Sequence, residues 1–255
     1  MKNLFSVKGK RVLITGGSRG IGYMIAQGFL EHGAHVYIAS RKEGELRAAA
    51  EKLSEKGPCV AFPADLSNGQ AARDLAAKIE EREGKLDVLV NNAGANWGAP
   101  YQEYPESAWD RVLSLNVKGV FELTQACTPL LEKAASDENP SRVINIGSID
   151  GIRVPMLETY AYSASKAALH HLTRVLAMRL APMRITVNAV APGPFESKMM
   201  KATIEQFRDA IIASVPLSRI GTPEDMAGIA LFLSSRAGAY VTGTVIPVDG
   251  GASTR

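Results

Sequence analysis

Tyr162 and Lys166 are the residues of this chain whose types and spacing point most directly to chemistry, in the run Tyr162-Ser-Ala-Ser-Lys166. Residues four apart share a helix face, so the run predicts a phenol beside an ammonium. A free tyrosine titrates near about 10 and exchanges protons poorly at neutral pH, whereas a neighbouring lysine favours the phenolate. Tyr162 is therefore a candidate general acid/base, and with Ser148 upstream the trio suits proton transfer at a carbonyl or alcohol oxygen.

Ser148 follows a β-branched run, Arg142 to Gly147, that predicts a strand ending at the carboxyl edge of a sheet, where open α/β folds bind ligands. A Tyr-x-x-x-Lys pattern also arises by chance, with the tyrosine packed and the lysine solvated. Tyr160 shows this, because it lies equally near Ser148 but has Ala164 where a lysine is needed. The assignment therefore requires an independent second site.

That second site is a glycine-rich turn, Thr15-Gly-Gly-Ser-Arg-Gly-Ile-Gly22, between the first predicted strand and a helix-forming run that reaches Leu30. Such turns let backbone N–H groups approach a pyrophosphate at the positive end of a helix. The spacing is Gly-x-x-x-Gly-x-Gly rather than Gly-x-Gly-x-x-Gly, and a turn that holds nothing remains the alternative. The candidate cofactor-binding residues here are Gly16, Ser18, Arg19, Gly20, Ile21 and Gly22.

The tip of the second predicted strand indicates which dinucleotide binds. An NAD-selective site carries Asp or Glu there for the ribose 2′-hydroxyl, whereas this chain has Ser40 and Arg41. With Arg19 in the glycine turn, two guanidinium groups are expected to converge on a 2′-phosphate. The sequence predicts NADP(H), with a merely solvated helix start at Arg41 as the alternative.

Composition sets the class of protein. The chain has 255 residues, of which 46% are hydrophobic and 22% charged, as expected for one globular domain spanning residues 1–255. A net charge of +3 with dispersed basic residues argues against a nucleic-acid partner.

The cysteines and histidines do not predict a metal site. Cys59 and Cys127 lack metal or disulfide spacing, and the adjacent His170 and His171 point in different directions on a helix. No signal or membrane-spanning segment is evident, and we expect a cytoplasmic protein.

Seven short β-branched runs alternate with amphipathic segments. This rhythm predicts a Rossmann-like, doubly wound α/β fold, with a seven-stranded parallel sheet and helices on both faces. The predicted strands are Arg11 to Thr15, His35 to Ser40, Cys59 to Pro63, Leu86 to Asn91, Arg142 to Gly147, Arg184 to Val190 and Thr244 to Asp249.

The rhythm breaks over residues 192–216, which we interpret as a lid over the carboxyl edge before a helix that begins near Thr222-Pro223-Glu224. Its apolar residues are expected either to contact substrate or to pack in the core or a subunit contact. They are Phe195, Met199, Met200, Phe207 and Ile211.

Together these motifs resemble those of the short-chain dehydrogenase/reductase family, over essentially the whole chain. The resemblance implies an adenine contact from Asp65 and Leu66, and a catalytic tetrad of Asn116, Ser148, Tyr162 and Lys166. It further implies cofactor contacts from Asn92, Ala93 and Gly94 after the fourth strand, and from Pro192, Gly193, Phe195 and Ser197 in a nicotinamide-side loop. The departures are a Ser-to-Tyr spacing longer by one residue, and Phe195 and Ser197 where Ile or Val and Thr are commoner.

The resemblance also implies roles. Tyr162 would protonate a carbonyl oxygen that Ser148 hydrogen-bonds, Lys166 would lower the Tyr162 pKa and bind the nicotinamide ribose, and Asn116 would help hold a proton-relay water. NADPH would supply the hydride and the protein would orient the reactants. The implied activity is reduction of a ketone to a secondary alcohol.

Within the family, the run Asn91 to Gly98 resembles the 3-oxoacyl-thioester reductases, especially the rhamnolipid-type branch. Basic residues near the lid suit a phosphorylated CoA or acyl carrier, or are simply solvated; they are Arg153, Lys198, Lys201 and Arg208. Sugar, steroid and aromatic ketones remain alternative substrates. The segments around 107–131 and 162–180, with the last strand, resemble the family's assembly surfaces and imply a homotetramer.

Two other classes of function fit parts of the sequence. A serine hydrolase is suggested by Gly16-Gly-Ser-Arg-Gly20 and by Ser163-Ala-Ser-Lys166, but the latter lacks the accompanying Ser-Asp-Asn and Lys-Thr-Gly elements. A non-catalytic dinucleotide sensor is the other alternative, because a fold alone implies no activity. The full set of reacting groups argues against it.

Overall fold

The computed structural model describes residues 3–197 and 200–254. Within those ranges, seven parallel strands form one sheet in the order β3-β2-β1-β4-β5-β6-β7. The strands are β1 Arg11–Thr15, β2 His35–Ser40, β3 Cys59–Pro63, β4 Val88–Asn91, β5 Ser141–Ile146, β6 Ile185–Pro192 and β7 Val245–Val248. The predicted doubly wound parallel sheet is confirmed.

Eight α-helices of the described residues cover both faces of this sheet. They are α1 Gly20–Glu31, α2 Glu43–Ser54, α3 Gly69–Glu83, α4 Glu106–Leu113, α5 Gly119–Ala134, α6 Tyr160–Leu180, α7 Lys201–Ser214 and α8 Pro223–Ser234. One apolar core joins α3, α5 and α6 to one face, and a second joins α1, α2 and α8 to the other. A π-helical turn, Ser114–Lys118, separates α4 from α5.

The strands are mostly apolar because both faces of the sheet are covered. In β1, Leu13 packs into the α3/α5/α6 core, whereas Val12 and Ile14 pack into the opposite core. This alternation is the two-residue period of a strand. β4 begins at Val88 rather than at the predicted Leu86, because the Leu86 N–H donates to the Leu130 carbonyl of α5 over 3.0 Å.

The predicted lid is largely the helix α7, and the helix predicted to follow it is α8, which Thr222 caps. Phe195 is only 3% exposed and packs in the α1/α2/α8 core, so its ring is a core contact. Phe207, by contrast, is half exposed on α7. Met199 and Lys198 lie outside the described residues. Over the part of the chain that is described, none of the helices has both the length and the apolar character to cross a bilayer.

Candidate active site

The carboxyl ends of the central strands bring the predicted motifs to one edge of the sheet. The Asn92 side-chain amide, after β4, donates to the Thr15 carbonyl over 2.9 Å, and the Ala93 N–H donates to the Thr15 hydroxyl over 2.9 Å. On the other side, the Gly147 N–H donates to the Val190 carbonyl over 2.7 Å. The glycine turn, the 92–94 segment and the Ser148 loop therefore lie along one edge of the sheet, which is the candidate cofactor cleft.

The glycine turn has the geometry of a phosphate cradle. Gly16 has φ +66°, and a Cβ added to Gly22 would lie 2.4 Å from the Asn92 amide nitrogen, so neither position accepts a side chain without strain. Helix α1 begins at Gly20, and Arg19 at its N-cap has extended backbone and makes no side-chain cap. The Arg19 side chain therefore does not cap the first N–H groups of α1. These groups remain available to bind a phosphate at the helix N-terminus.

The predicted 2′-phosphate ligands lie around the end of β2. The Ser40 Oγ is buried and makes no hydrogen bond within the described residues. Arg19 pairs with Glu45 over 3.0 Å, and Arg41 lies 4.0 Å from Asp65, with all four side chains about half exposed. Exposed pairs of this kind contribute at most about 1 kcal/mol, so a phosphate can exchange for them at little cost. The buried hydroxyl and the two guanidinium groups fit a 2′-phosphorylated dinucleotide.

The remaining predicted cofactor contacts also border this cleft. Asp65 follows β3 and accepts hydrogen bonds from the Ser67 N–H and hydroxyl, while Leu66 is buried. Pro192 ends β6, and the Gly193 N–H donates to the Val248 carbonyl over 3.0 Å. The Ser197 Cβ lies 3.2 Å from the point where a Cβ on Gly20 would be, so the loop after β6 returns to the glycine turn. Two members of the set are packed in the cores: Leu66 in the α3/α5/α6 core and the Phe195 ring in the α1/α2/α8 core.

Ser148, Tyr162 and Lys166 converge beside this cleft. Ser148 is buried at the end of β5, and its Oγ accepts the Asp150 N–H over 3.1 Å. Tyr162 and Lys166 lie on α6, where the Lys166 ammonium donates to the Ile146 carbonyl over 2.7 Å and lies 5.4 Å from the Tyr162 ring centroid.

Asn116 lies in the π-helical turn and braces the same region. Its side-chain amide donates to the Ala95 carbonyl over 2.9 Å and to the Ser165 hydroxyl over 3.0 Å, and its oxygen accepts the Ala95 N–H over 2.8 Å. Ser165 in turn donates to the Tyr162 carbonyl over 2.7 Å. Asn116 therefore fixes the backbone that carries Tyr162. The sequence analysis missed the bridging Ser165, although it stands inside the Tyr162–Lys166 run.

The ionisation of Tyr162 differs from the sequence-based expectation. Burial raises its pKa to about 12, with a hydrogen bond to Ser148 opposing the shift and the Asp150 charge adding to it. Burial also lowers the pKa of Lys166 to about 8, against the effect of Asp150. The reason is desolvation, which disfavours the charged forms of both buried groups. The phenol of Tyr162 therefore stays protonated at neutral pH, the form that can donate a proton.

The structure shows the surroundings of two residues, Asp150 and Tyr160, that the sequence alone did not reveal. Asp150, which the sequence analysis did not single out, lies beside the site: its negative charge raises the pKa of both Tyr162 and Lys166, and burial raises the pKa of Asp150 itself. Its position two residues after Ser148 was the available signal. Tyr160 does not take the place of Tyr162, because its hydroxyl donates to Glu158 over 2.7 Å and its ring packs edge-to-face on Tyr104. Across residues 3–197 and 200–254, no cluster of three His, Cys, Asp or Glu side chains has the arrangement of a metal site.

Comparison with known proteins assigns the family. Residues 16–253 match the family model described as Enoyl-(Acyl carrier protein) reductase. The chain is also 51% identical over 253 residues to the rhamnolipids biosynthesis 3-oxoacyl-[acyl-carrier-protein] reductase of Pseudomonas aeruginosa, a match that covers 98% of this chain and 99% of that protein. The chain belongs to the short-chain dehydrogenase/reductase family.

Other similar proteins share this family's fold. The structure of the Pseudomonas aeruginosa RhlG/NADP active-site complex is 50% identical, with a TM-score of 0.95, and the match covers 99% of this chain and 100% of that one. The 5-keto-D-gluconate 5-reductase of Escherichia coli strain K12 is 37% identical over 255 residues, covering 98% of each protein. As a short-chain dehydrogenase/reductase, the chain is an oxidoreductase, and the two hydrolase-like patterns lie within the motifs of this family.

Proposed function

We propose that this short-chain dehydrogenase/reductase uses NADPH to reduce a ketone to a secondary alcohol, and that its favoured substrate is a 3-oxoacyl thioester. The observation that carries the proposal is the position of the buried Tyr162 phenol, which lies beside the Lys166 ammonium and within hydrogen-bonding reach of Ser148 at the sheet edge that also holds the glycine turn. The named activity of the Pseudomonas aeruginosa relative and the NADP in the RhlG complex support it.

The cofactor is held by residues along the cleft. The glycine turn and the start of α1 bind the pyrophosphate, and Ser40, Arg19 and Arg41 bind the 2′-phosphate. Asp65 and Leu66 border the adenine, and the 92–94 and 192–197 segments flank the nicotinamide side. When bound, NADPH supplies the hydride.

Proton delivery belongs to the chain's own side chains. Tyr162 donates its phenolic proton to the carbonyl oxygen, and Ser148, held by the Asp150 N–H, donates a hydrogen bond to the same oxygen. The Lys166 ammonium then stabilises the phenolate that remains, because it is already fixed next to the ring by the Ile146 carbonyl. Asn116 keeps the Tyr162 backbone in register, and the relay water assigned to it remains a proposal.

The loop between Ser148 and Tyr162 supports an acyl substrate. It exposes four apolar side chains, which would face water unless an apolar partner covers them; they are Ile152, Val154, Met156 and Leu157. Of the basic residues expected to meet a carrier, Arg153 is engaged, because it donates to the Ala252 carbonyl over 2.8 Å. Arg208 lies 3.4 Å from Glu196 in an exposed pair that a phosphate can replace, and Lys198 lies outside the described residues. We therefore base the preference on the acyl chain rather than on the carrier.

A substrate panel tests this proposal. We expect NADPH oxidation with acetoacetyl-CoA, and a kcat/KM that rises by up to about fourfold for each further methylene that the loop buries, since each contributes about 0.8 kcal/mol. The second candidate is a sugar ketone, favoured by the similarity to the 5-keto-D-gluconate 5-reductase. Higher kcat/KM with 5-keto-D-gluconate than with any 3-oxoacyl-CoA would overturn the thioester assignment.

We further propose that the protein is a homotetramer located in the cytoplasm. In each copy, residues 1–255 form one catalytic domain, and residues 192–216 cover the substrate site. Apolar side chains exposed on α4, α5 and α6 support contacts between copies; they are Trp109, Leu113, Phe121, Val175 and Met178. The two unpaired thiols, Cys59 and Cys127, support a reducing compartment, which cell fractionation tests. Light scattering is expected to give the mass of four chains, and the mass of one chain would contradict the assembly.

A further inference from the structure

His170 is a buried titratable residue that no step above uses. It lies one helical turn beyond Lys166 on α6, and only 4% of it is exposed. His171, the next residue, is exposed. The two histidines therefore have the same helix and almost the same sequence position but opposite surroundings.

The His170 ring fits between the two glycines that flank the Ser148 loop. A Cβ added to Gly147 would lie 2.2 Å from Nε2, and a Cβ added to Gly151 would lie 2.9 Å from Cε1. Both glycines therefore leave the space that the ring occupies. The ring contacts the chain immediately before Ser148 and again three residues after it.

The ring is also held in one protonation state. Burial lowers the pKa of His170 to about 4, the nearby charges of Lys166 and Arg174 act in the same direction, and a backbone hydrogen bond to Gly151 opposes them. Its Nε2 is buried and makes no hydrogen bond within the described residues, so a second proton there would have no acceptor. At neutral pH the imidazole is uncharged and acts through shape and its contact with Gly151.

We propose that His170 is a positioning residue for Ser148: its ring wedges the segment 147–151 against α6 and so sets the distance from the Ser148 hydroxyl to Tyr162. Tyr162, Lys166 and His170 all lie on α6. Contact with His170 would therefore hold the segment 147–151 in a fixed position relative to the proton donor, Tyr162. The inference deepens the proposed function, on which it rests for the role of Ser148.

The test is a set of variants assayed with acetoacetyl-CoA and NADPH. His170→Ala removes the wedge, and we expect kcat to fall by about 30-fold, because a displacement of about 1 Å can cost about 100-fold. KM for NADPH should stay within about twofold, since the glycine turn is untouched. His170→Gln keeps a hydrogen-bonding side chain and should recover kcat to within about fivefold of the starting protein. His171→Ala, the matched control, should leave kcat unchanged.

A double-mutant cycle separates positioning from a general loss of packing. Ser148→Ala should reduce kcat by about 100-fold in the starting protein but by less than about 5-fold when His170 is already Ala, because a displaced hydroxyl has little left to contribute. Losses that multiply, or a His170→Ala kcat within about threefold of normal, would overturn the proposal. If His170→Ala does not fold, the same cycle is run with Ser148→Ala and either His170→Gln or His170→Asn, and the same two outcomes are compared.

Failure of the underlying function has a different signature. If Ser148→Ala alone leaves kcat unchanged, the role proposed for Ser148 is wrong and the positioning role of His170 falls with it. If Ser148→Ala is damaging while His170→Ala is harmless, only the inference about His170 is overturned.

Discussion

Tyr162→Phe is expected to lower kcat for ketone reduction by about 1000-fold, while the Kd for NADPH changes by less than about twofold. The substitution removes only the phenolic oxygen, and general acid catalysis contributes about 100-fold to 10,000-fold. Burial keeps this phenol protonated, so the lost group is the one that would donate to the carbonyl oxygen. Steady-state kinetics with saturating NADPH and ketone measure kcat, and NADPH fluorescence measures the Kd.

Tyr160→Phe is the matched control for that experiment. It removes the same atom from the same helix, two residues earlier, but the Tyr160 hydroxyl bonds to Glu158. We expect kcat within about twofold of the starting protein. Equal losses in the two variants would show that the hydroxyl of Tyr162 is not special, and NADPH binding without turnover in either would favour a dinucleotide sensor.

Arg19→Ala combined with Arg41→Ala is expected to lower kcat/KM for NADPH by about 1000-fold and to change kcat/KM for NADH by less than about threefold. Each charge-assisted hydrogen bond to the 2′-phosphate contributes about 1.5–3 kcal/mol, and the exposed pairs with Glu45 and Asp65 that must be released offset at most about 1 kcal/mol each. Steady-state kinetics with both coenzymes measure the change.

Arg47→Ala controls for the loss of positive charge near the cofactor. Arg47 is also an exposed guanidinium on α2, but it pairs with Glu43 over 2.6 Å on the same helix. Its removal should leave both coenzyme preferences unchanged. A double Arg19/Arg41 variant that still prefers NADPH tenfold or more would show that the 2′-phosphate is bound elsewhere.

The sequence was sufficient for the sheet because each strand is a short, mostly apolar run and successive strands are joined by segments that contain a helix. It was also sufficient to bring the glycine turn and the Ser148–Tyr162–Lys166 group to one edge, since parallel strands end together. Strand ends moved by one or two residues where a neighbour intervened, as at Leu86, whose N–H bonds to a helix. Local pattern and topology together thus predicted the scaffold.

What the sequence did not predict depends on three-dimensional burial. The i, i+4 spacing placed Lys166 beside Tyr162, but the direction of the Tyr162 pKa shift depends chiefly on the desolvation of the buried phenol. The sequence also did not predict that His170 is buried and His171 exposed, because this difference arises from the loop that packs on α6. The same holds for Phe195, which lies in a proline-rich loop yet packs against α1, α2 and α8.

The 21-residue helix α6 carries Tyr162, Lys166 and His170, whereas the exposed apolar side chains proposed to meet the acyl chain lie on a separate segment, residues 152–159. In the proposed function, proton chemistry and substrate recognition therefore lie in different parts of the chain. The recognition segment can therefore be exchanged while the distances among Tyr162, Lys166 and His170 stay the same. Grafting that segment from a relative with another ketone preference is accordingly the direct route to a redesigned enzyme.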